Sequence, residues 1–65
     1  MTFDELKPME FYVDKDGREL MFDVFYNNEI AEFVEIFIKE DGSYDVIDWN
    51  VRLTKREVKQ LKEMY

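Results

Sequence analysis

Apolar and polar positions alternate along most of this chain. The clearest stretch runs from Val34 to Val51, as VEIFIK, EDGS and YDVIDWNV. It predicts a β-hairpin. Asp41-Gly42 supplies the positive-φ residues of a tight two-residue turn, and both flanks alternate. With that turn, Lys39 faces Tyr44, Phe37 faces Val46, Ile36 faces Ile47 and Val34 faces Trp49. One face then carries Val34, Ile36, Ile47, Trp49 and Val51 and is apolar. The other carries Phe33, Glu35, Phe37, Val46, Asp48 and Asn50, a mixture of aromatic rings and polar groups.

The rest of the chain takes its place around this hairpin. Thr2 and Glu5 have the spacing of a capping box, which predicts one helical turn over 1–7, ended by Pro8. MEFYVD (9–14) and RELMFDVFY (18–26) alternate as strands, with Asp14-Lys15-Asp16-Gly17 as the turn between them. An Asp16-Gly17 turn pairs Phe11 with Phe22 and Val13 with Leu20, so that the apolar sides coincide. Asn27-Asn28-Glu29 reads as a loop. The segment from Asn28 to Glu40 admits two readings. Ile30, Phe33, Val34, Phe37 and Ile38 fit helical spacing, with Asn28 as cap and Gly42 beyond the end. The strand reading rests on the β-branched Ile30, Val34, Ile36 and Ile38 and on the Asp-Gly turn downstream, and it is preferred. Thr54-Lys55-Arg56-Glu57 is a second capping box, predicting a helix from Lys55 to about Met64 with Val58, Leu61 and Tyr65 on its apolar stripe.

These elements predict a single α+β domain over residues 1–65. It is a four-stranded, mostly antiparallel β-meander with one C-terminal α-helix packed on one face. The expected core takes Met9, Phe11, Val13, Leu20, Phe22 and Val24 from the first two strands. The hairpin adds Val34, Ile36, Ile38, Ile47, Trp49 and Val51, and the helix adds Val58 and Leu61.

Composition narrows what such a domain can do. At 65 residues the core is small, and with no cysteine and no histidine neither disulfides nor the commoner zinc sites can reinforce it. No nucleophile–histidine constellation exists, and a small meander offers little concave surface in which to shift carboxylate pKa values. The chain is therefore read as not an enzyme, with no cofactor and no metal. Asp14, Asp16 and Glu19 around Gly17, and Glu40, Asp41 and Asp45 around Gly42, lack the twelve-residue ligand pattern of a calcium loop and read as turns. The net charge of −7 argues against direct nucleic-acid and anionic-membrane binding. No signal peptide or apolar span is present in the sequence, and a cytoplasmic location is expected.

Alternation leaves one sheet face that the helix cannot cover. Tyr12, Phe25, Phe33, Phe37 and Tyr44 are placed there with Asp23, Glu35 and Asp48, and these eight residues form the candidate partner-binding surface. Glu10 is expected opposite Asp23, and Glu35 opposite Asp48, pairs that cost a few tenths of a kcal/mol or more. Aromatic rings among such carboxylates suit either a basic partner protein or a second copy of the chain in a homodimer. The size, the acidity and the meander-plus-helix plan resemble the small inhibitor proteins that phages direct against host enzymes. Some of those mimic DNA. The likeness is one of type, without a residue motif, so it transfers no site. It implies an inhibitor or modulator of a nucleic-acid-processing protein; the alternative is a structural module whose role is self-association.

Overall fold

Every strand pairing in this domain is antiparallel. The computed structural model describes residues 1–64. Tyr65, expected on the stripe of the C-terminal helix, lies outside the described residues. After a single 3-10 turn at Phe3–Glu5 come β1 (Phe11–Val13), β2 (Glu19–Phe25), β3 (Ile30–Ile38) and β4 (Tyr44–Thr54). The helix α1 (Lys55–Val58) and β5 (Lys62–Glu63) follow. The sheet order is β4-β3-β2-β1-β5, so the expected four-stranded meander gains a fifth strand on its far edge. Strand geometry holds from Ile30 to Ile38, which removes the helical reading of that segment. The β-branched residues favour extended backbone, and β3 lies between two paired neighbours.

Both Asp-Gly turns are one residue longer than the two-residue turn their dipeptide suggests. The Gly42 N–H donates to the Lys39 carbonyl at 3.0 Å and the Lys39 N–H to the Ser43 carbonyl at 2.8 Å. Gly17, Asp14 and Arg18 repeat this pattern at 3.0 Å each. Each loop is thus a type I turn closed by a glycine in the left-handed region, at φ 85° for Gly17 and 87° for Gly42. The extra residue shifts the first hairpin by one, so Phe11 pairs with Met21 and Val13 with Glu19. A one-residue slip exchanges the faces of a strand. Tyr12 therefore points into the core, at 2% exposure, while Phe11 and Val13 turn to the other side. Met9, also expected inside, is exposed.

Tyr12 is accommodated because its polar end is met. The Lys7 N–H donates to its hydroxyl at 3.2 Å, and its ring stands edge-on to Phe33 at 6.3 Å. Burial raises the phenol pKa, and the carboxylates of Glu10, Glu63 and Glu5 add to that against the opposing Lys7 hydrogen bond. From Phe33 the rings continue to Phe22 (5.4 Å), Phe25 (4.9 Å) and Phe3 (4.8 Å). Tilted and edge-on ring pairs of this kind add about 0.5–1.5 kcal/mol each beyond their buried area. Leu6, Leu20, Ala31, Val51, Leu53, Val58 and Leu61 complete the main core.

The C-terminal helix is much shorter than its helix-forming residues suggest. Its capping box forms as read: the Thr54 N–H donates to Glu57 Oε1 at 3.0 Å, and the Glu57 N–H donates to Thr54 Oγ1 at 3.3 Å. One turn is enough to bury Val58. The chain then tightens, with the Gln60 and Leu61 N–H groups donating to the carbonyls three residues earlier, and Leu61 is buried as well. Lys62 and Glu63 then pair with Val13 and Tyr12. The unpaired backbone of β1 competes with continued helix and prevails, because an open sheet edge in a small domain leaves groups that a returning segment can satisfy.

Candidate protein-binding surface

The distal half of the β3–β4 hairpin departs from simple alternation. Phe33 pairs with Val51, Glu35 with Asp48, Ile36 with Val46 and Ile38 with Tyr44. Between these rungs β4 carries two residues more than β3. Trp49 and Asn50 together stand opposite Val34, and Ile47 has no counterpart. Asn50 adopts φ 64°, a left-handed geometry that asparagine tolerates better than other side chains apart from glycine. Each extra residue reverses the in–out phase. Ile47 and Trp49, expected in the core beside Val51, are consequently expelled to 59% and 64% exposure. Val51 stays inside, opposite Phe33.

Twist completes the separation of the two halves. Phe33, Glu35 and Phe37 share one side of β3 by alternation. Phe33 is fully buried in the main core, whereas Phe37, four residues further on, is 57% exposed. On the reverse side Val34 and Ile36 are buried outside the main cluster. The twisted sheet there brings Phe11 of β1 against Tyr44 of β4, with ring centroids 5.8 Å apart and nearly perpendicular.

The eight residues expected on one binding face are thus divided three ways. Tyr12 and Phe33 are core residues and present no surface, because of the turn register in one case and the position of the helix-covered face in the other. Asp23 is the extra residue of a bulge between Phe22 and Val24 and is exposed, while Phe25 packs on Phe3 and Phe22 at the opposite end of the domain. Only Glu35, Phe37, Tyr44 and Asp48 gather on the distal hairpin. Glu35 does face Asp48. Glu10 does not face Asp23: its carbonyl accepts from the Phe22 N–H at 3.1 Å.

Ile47 and Trp49 are the surface residues that simple alternation misses. The available signal was Asn50, a poor strand former that favours left-handed backbone, placed directly after Trp49. Phe37, on the Phe33 side of β3, and Val46, paired with Ile36 on the reverse side, are exposed at the same end of the hairpin, where Glu35, Asp45 and Asp48 also lie. Lys39 is paired there, 3.2 Å from Asp45. The exposed Lys55, Arg56 and Lys59 lie on and just after α1, which follows the other end of β4, whereas the exposed Lys62 belongs to β5 and pairs with Val13.

No family model, curated protein or solved structure matches this chain. The surface must be judged on its own chemistry. Among the described residues no group of three or more acidic side chains is arranged to hold a metal ion. The turn carboxylates have structural partners instead. Asp41 accepts from the hydroxyl and N–H of Ser43, and those hydrogen bonds hold its pKa low. Asp14 accepts from the Asp16 N–H at 2.9 Å, the Arg18 N–H at 2.8 Å and Arg18 Nε at 2.6 Å. Burial pushes the Asp14 pKa up, but these hydrogen bonds and the Arg18 charge outweigh it, and the net shift is downward. No helix among the described residues is long and apolar enough to cross a membrane.

A stability prediction follows for Asp14. Asp14→Ala removes all three contacts and is expected to cost about 1–3 kcal/mol at pH 7. Because the folded-state pKa is lowered, the ionised group's contribution is fully present above the ordinary carboxylate range. It is lost as pH falls through the folded value. Urea midpoints at pH 7 and pH 3 should therefore show a wide gap between wild type and variant at pH 7 that narrows at pH 3. A gap independent of pH would show that packing, not the carboxylate, stabilises the turn.

Proposed function

We propose that this chain is a non-enzymatic acidic binding domain that inhibits or modulates another protein through the distal β3–β4 hairpin. One observation carries the reading. Phe37, Ile47 and Trp49 are each more than half exposed on one hairpin end, within a border of carboxylates. Large apolar side chains gathered on a soluble domain favour an interface, and tryptophan is among the residues most often dominant in one. The carboxylates select a partner with a basic surface and speed the encounter. A nucleic-acid-processing protein is such a partner, in keeping with the likeness to phage inhibitors, and the acidic border then stands where a phosphate backbone would.

Asp48 offers a test with opposite signs on stability and binding. Asp48→Lys replaces a like-charge pair with Glu35 by an attractive one, so stability is expected to rise by a few tenths of a kcal/mol. Binding is expected to fall. The immobilised domain would be exposed to cell extract and its retained proteins quantified by mass spectrometry. A partner held by wild type should drop at least tenfold with the variant and in high salt. An identical retention profile for wild type and variant would remove the hairpin from consideration.

Self-association is the second reading, and the same exposed rings favour it. Light scattering at micromolar concentration separates the two readings. A mass of 8.0 kDa leaves the hairpin free for a foreign partner, and twice that value assigns the rings to a copy.

A further inference from the structure

The outer edge of β4 is a second feature of the same hairpin, and it points to a mode of recognition. Among the described residues no strand pairs with that edge. The pattern of hydrogen bonds shows which backbone groups it presents. Lys39 and Ser43 form a hydrogen-bonded pair, with the Lys39 N–H on the Ser43 carbonyl. Antiparallel pairs alternate between hydrogen-bonded and non-bonded types. Ile38–Tyr44 is therefore non-bonded, Phe37–Asp45 bonded and Ile36–Val46 non-bonded. At the non-bonded positions of an edge strand, N–H and C=O point outward. Tyr44 and Val46 thus offer two consecutive rungs of unpaired donors and acceptors, and the unpaired Ile47 ends the regular ladder immediately after them.

From this edge we infer that the hairpin captures an extended, basic segment of its partner by strand addition along Tyr44–Val46, with Trp49 as the side-chain anchor. The inference rests on the reading of this hairpin as a protein-binding surface. Strand addition draws affinity from main-chain hydrogen bonds and specificity from alternate side chains. Asp45 lies between the two open rungs, and Asp48 stands just beyond the bulge. Lys39 holds Asp45 Oδ1 at 3.2 Å, so a lysine or arginine of the incoming strand opposite Asp45 makes its cross-strand pair through Oδ2. A second copy of the same edge is a poorer occupant, because two-fold pairing along Tyr44–Val46 places Asp45 of one chain directly opposite Asp45 of the other. The bulges restrict the ladder to its tip, which protects the rest of the edge from indiscriminate pairing.

The test uses the whole chain, labelled with nitrogen-15, and two capped eight-residue peptides. One alternates lysine and valine and the other glutamate and valine. Tryptophan emission reports directly on the hairpin, because Trp49 is the sole tryptophan. With the lysine peptide, emission is expected to shift to the blue and amide exchange at Tyr44 and Val46 to slow at least tenfold. The glutamate peptide should do neither, and Asp45→Lys should weaken lysine-peptide binding at least tenfold. An emission shift without protection at Tyr44 and Val46 would overturn strand addition while leaving the hairpin a binding surface. Equal binding of both peptides would overturn the charge selection. No emission change at millimolar lysine peptide would overturn the inference, with the fate of the wider reading decided separately by the extract experiment. Slowed exchange at both amides without peptide, in a chain of doubled mass, would assign the edge to a second copy and overturn it too.

Discussion

Phe33→Ala is expected to leave the chain largely unfolded in water at 25 °C. The ring is fully buried and lies between Tyr12 and Phe22, opposite Val51. Truncating a buried phenylalanine costs about 3–5 kcal/mol, because the small core cannot close over the space left behind. A domain of this size has only about 3–10 kcal/mol of stability in total. The same substitution at Phe37, four residues along the strand, is expected to change stability by less than about 1 kcal/mol, since that ring is already mostly in water. Urea denaturation followed by circular dichroism checks both variants. Comparable losses at Phe33 and Phe37 would mean that the distal hairpin is covered in solution, for example by a second copy.

Trp49→Ala should have the contrary profile, with stability almost unchanged and binding largely lost. The indole lies beside the left-handed Asn50 and outside the main core, so its removal leaves no internal space. Interface tryptophans commonly cost 2 kcal/mol or more when truncated, which corresponds to roughly 30-fold in affinity. Calorimetry with the partner recovered from extract measures this without relying on the indole's own fluorescence. An affinity within threefold of wild type would exclude Trp49 as an anchor. Wild-type emission adds an independent check on exposure: the free domain should emit as a solvated indole.

The two substitutions also separate the routes by which β3 and β4 residues reach their places. Phe33 and Phe37 have the same side by alternation, and the sequence alone groups both with the binding surface. Their separation comes from the cover that Leu6, Val58 and Leu61 provide over one end of a twisted sheet. Trp49 and Ile47 move the other way, from expected core to surface, because the two irregularities of β4 fall on them, at Trp49–Asn50 and at Ile47. Neither event alters the local preference for strand, which is why the strands themselves were legible and their faces were not.

What the sequence determined by itself is what short-range interactions decide. Both capping boxes formed between residues three apart, Thr2 with Glu5 and Thr54 with Glu57. Asn27 tied its own loop through hydrogen bonds from the Glu29 and Ile30 N–H groups. Both Asp-Gly sites turned the chain, and the β-branched run from Ile30 to Ile38 became a strand. Tertiary structure alone decided the loop lengths, the bulges, the end of α1 and the formation of β5. An Asp-Gly dipeptide serves a two-residue and a three-residue hairpin equally well, and the one-residue difference is resolved only by which faces can be buried together. Lys62 and Glu63 suit a helix locally, but they pair with β1 because its edge is open at that point in space. These outcomes depend on contacts between residues far apart in the chain, whose energies no local pattern encodes.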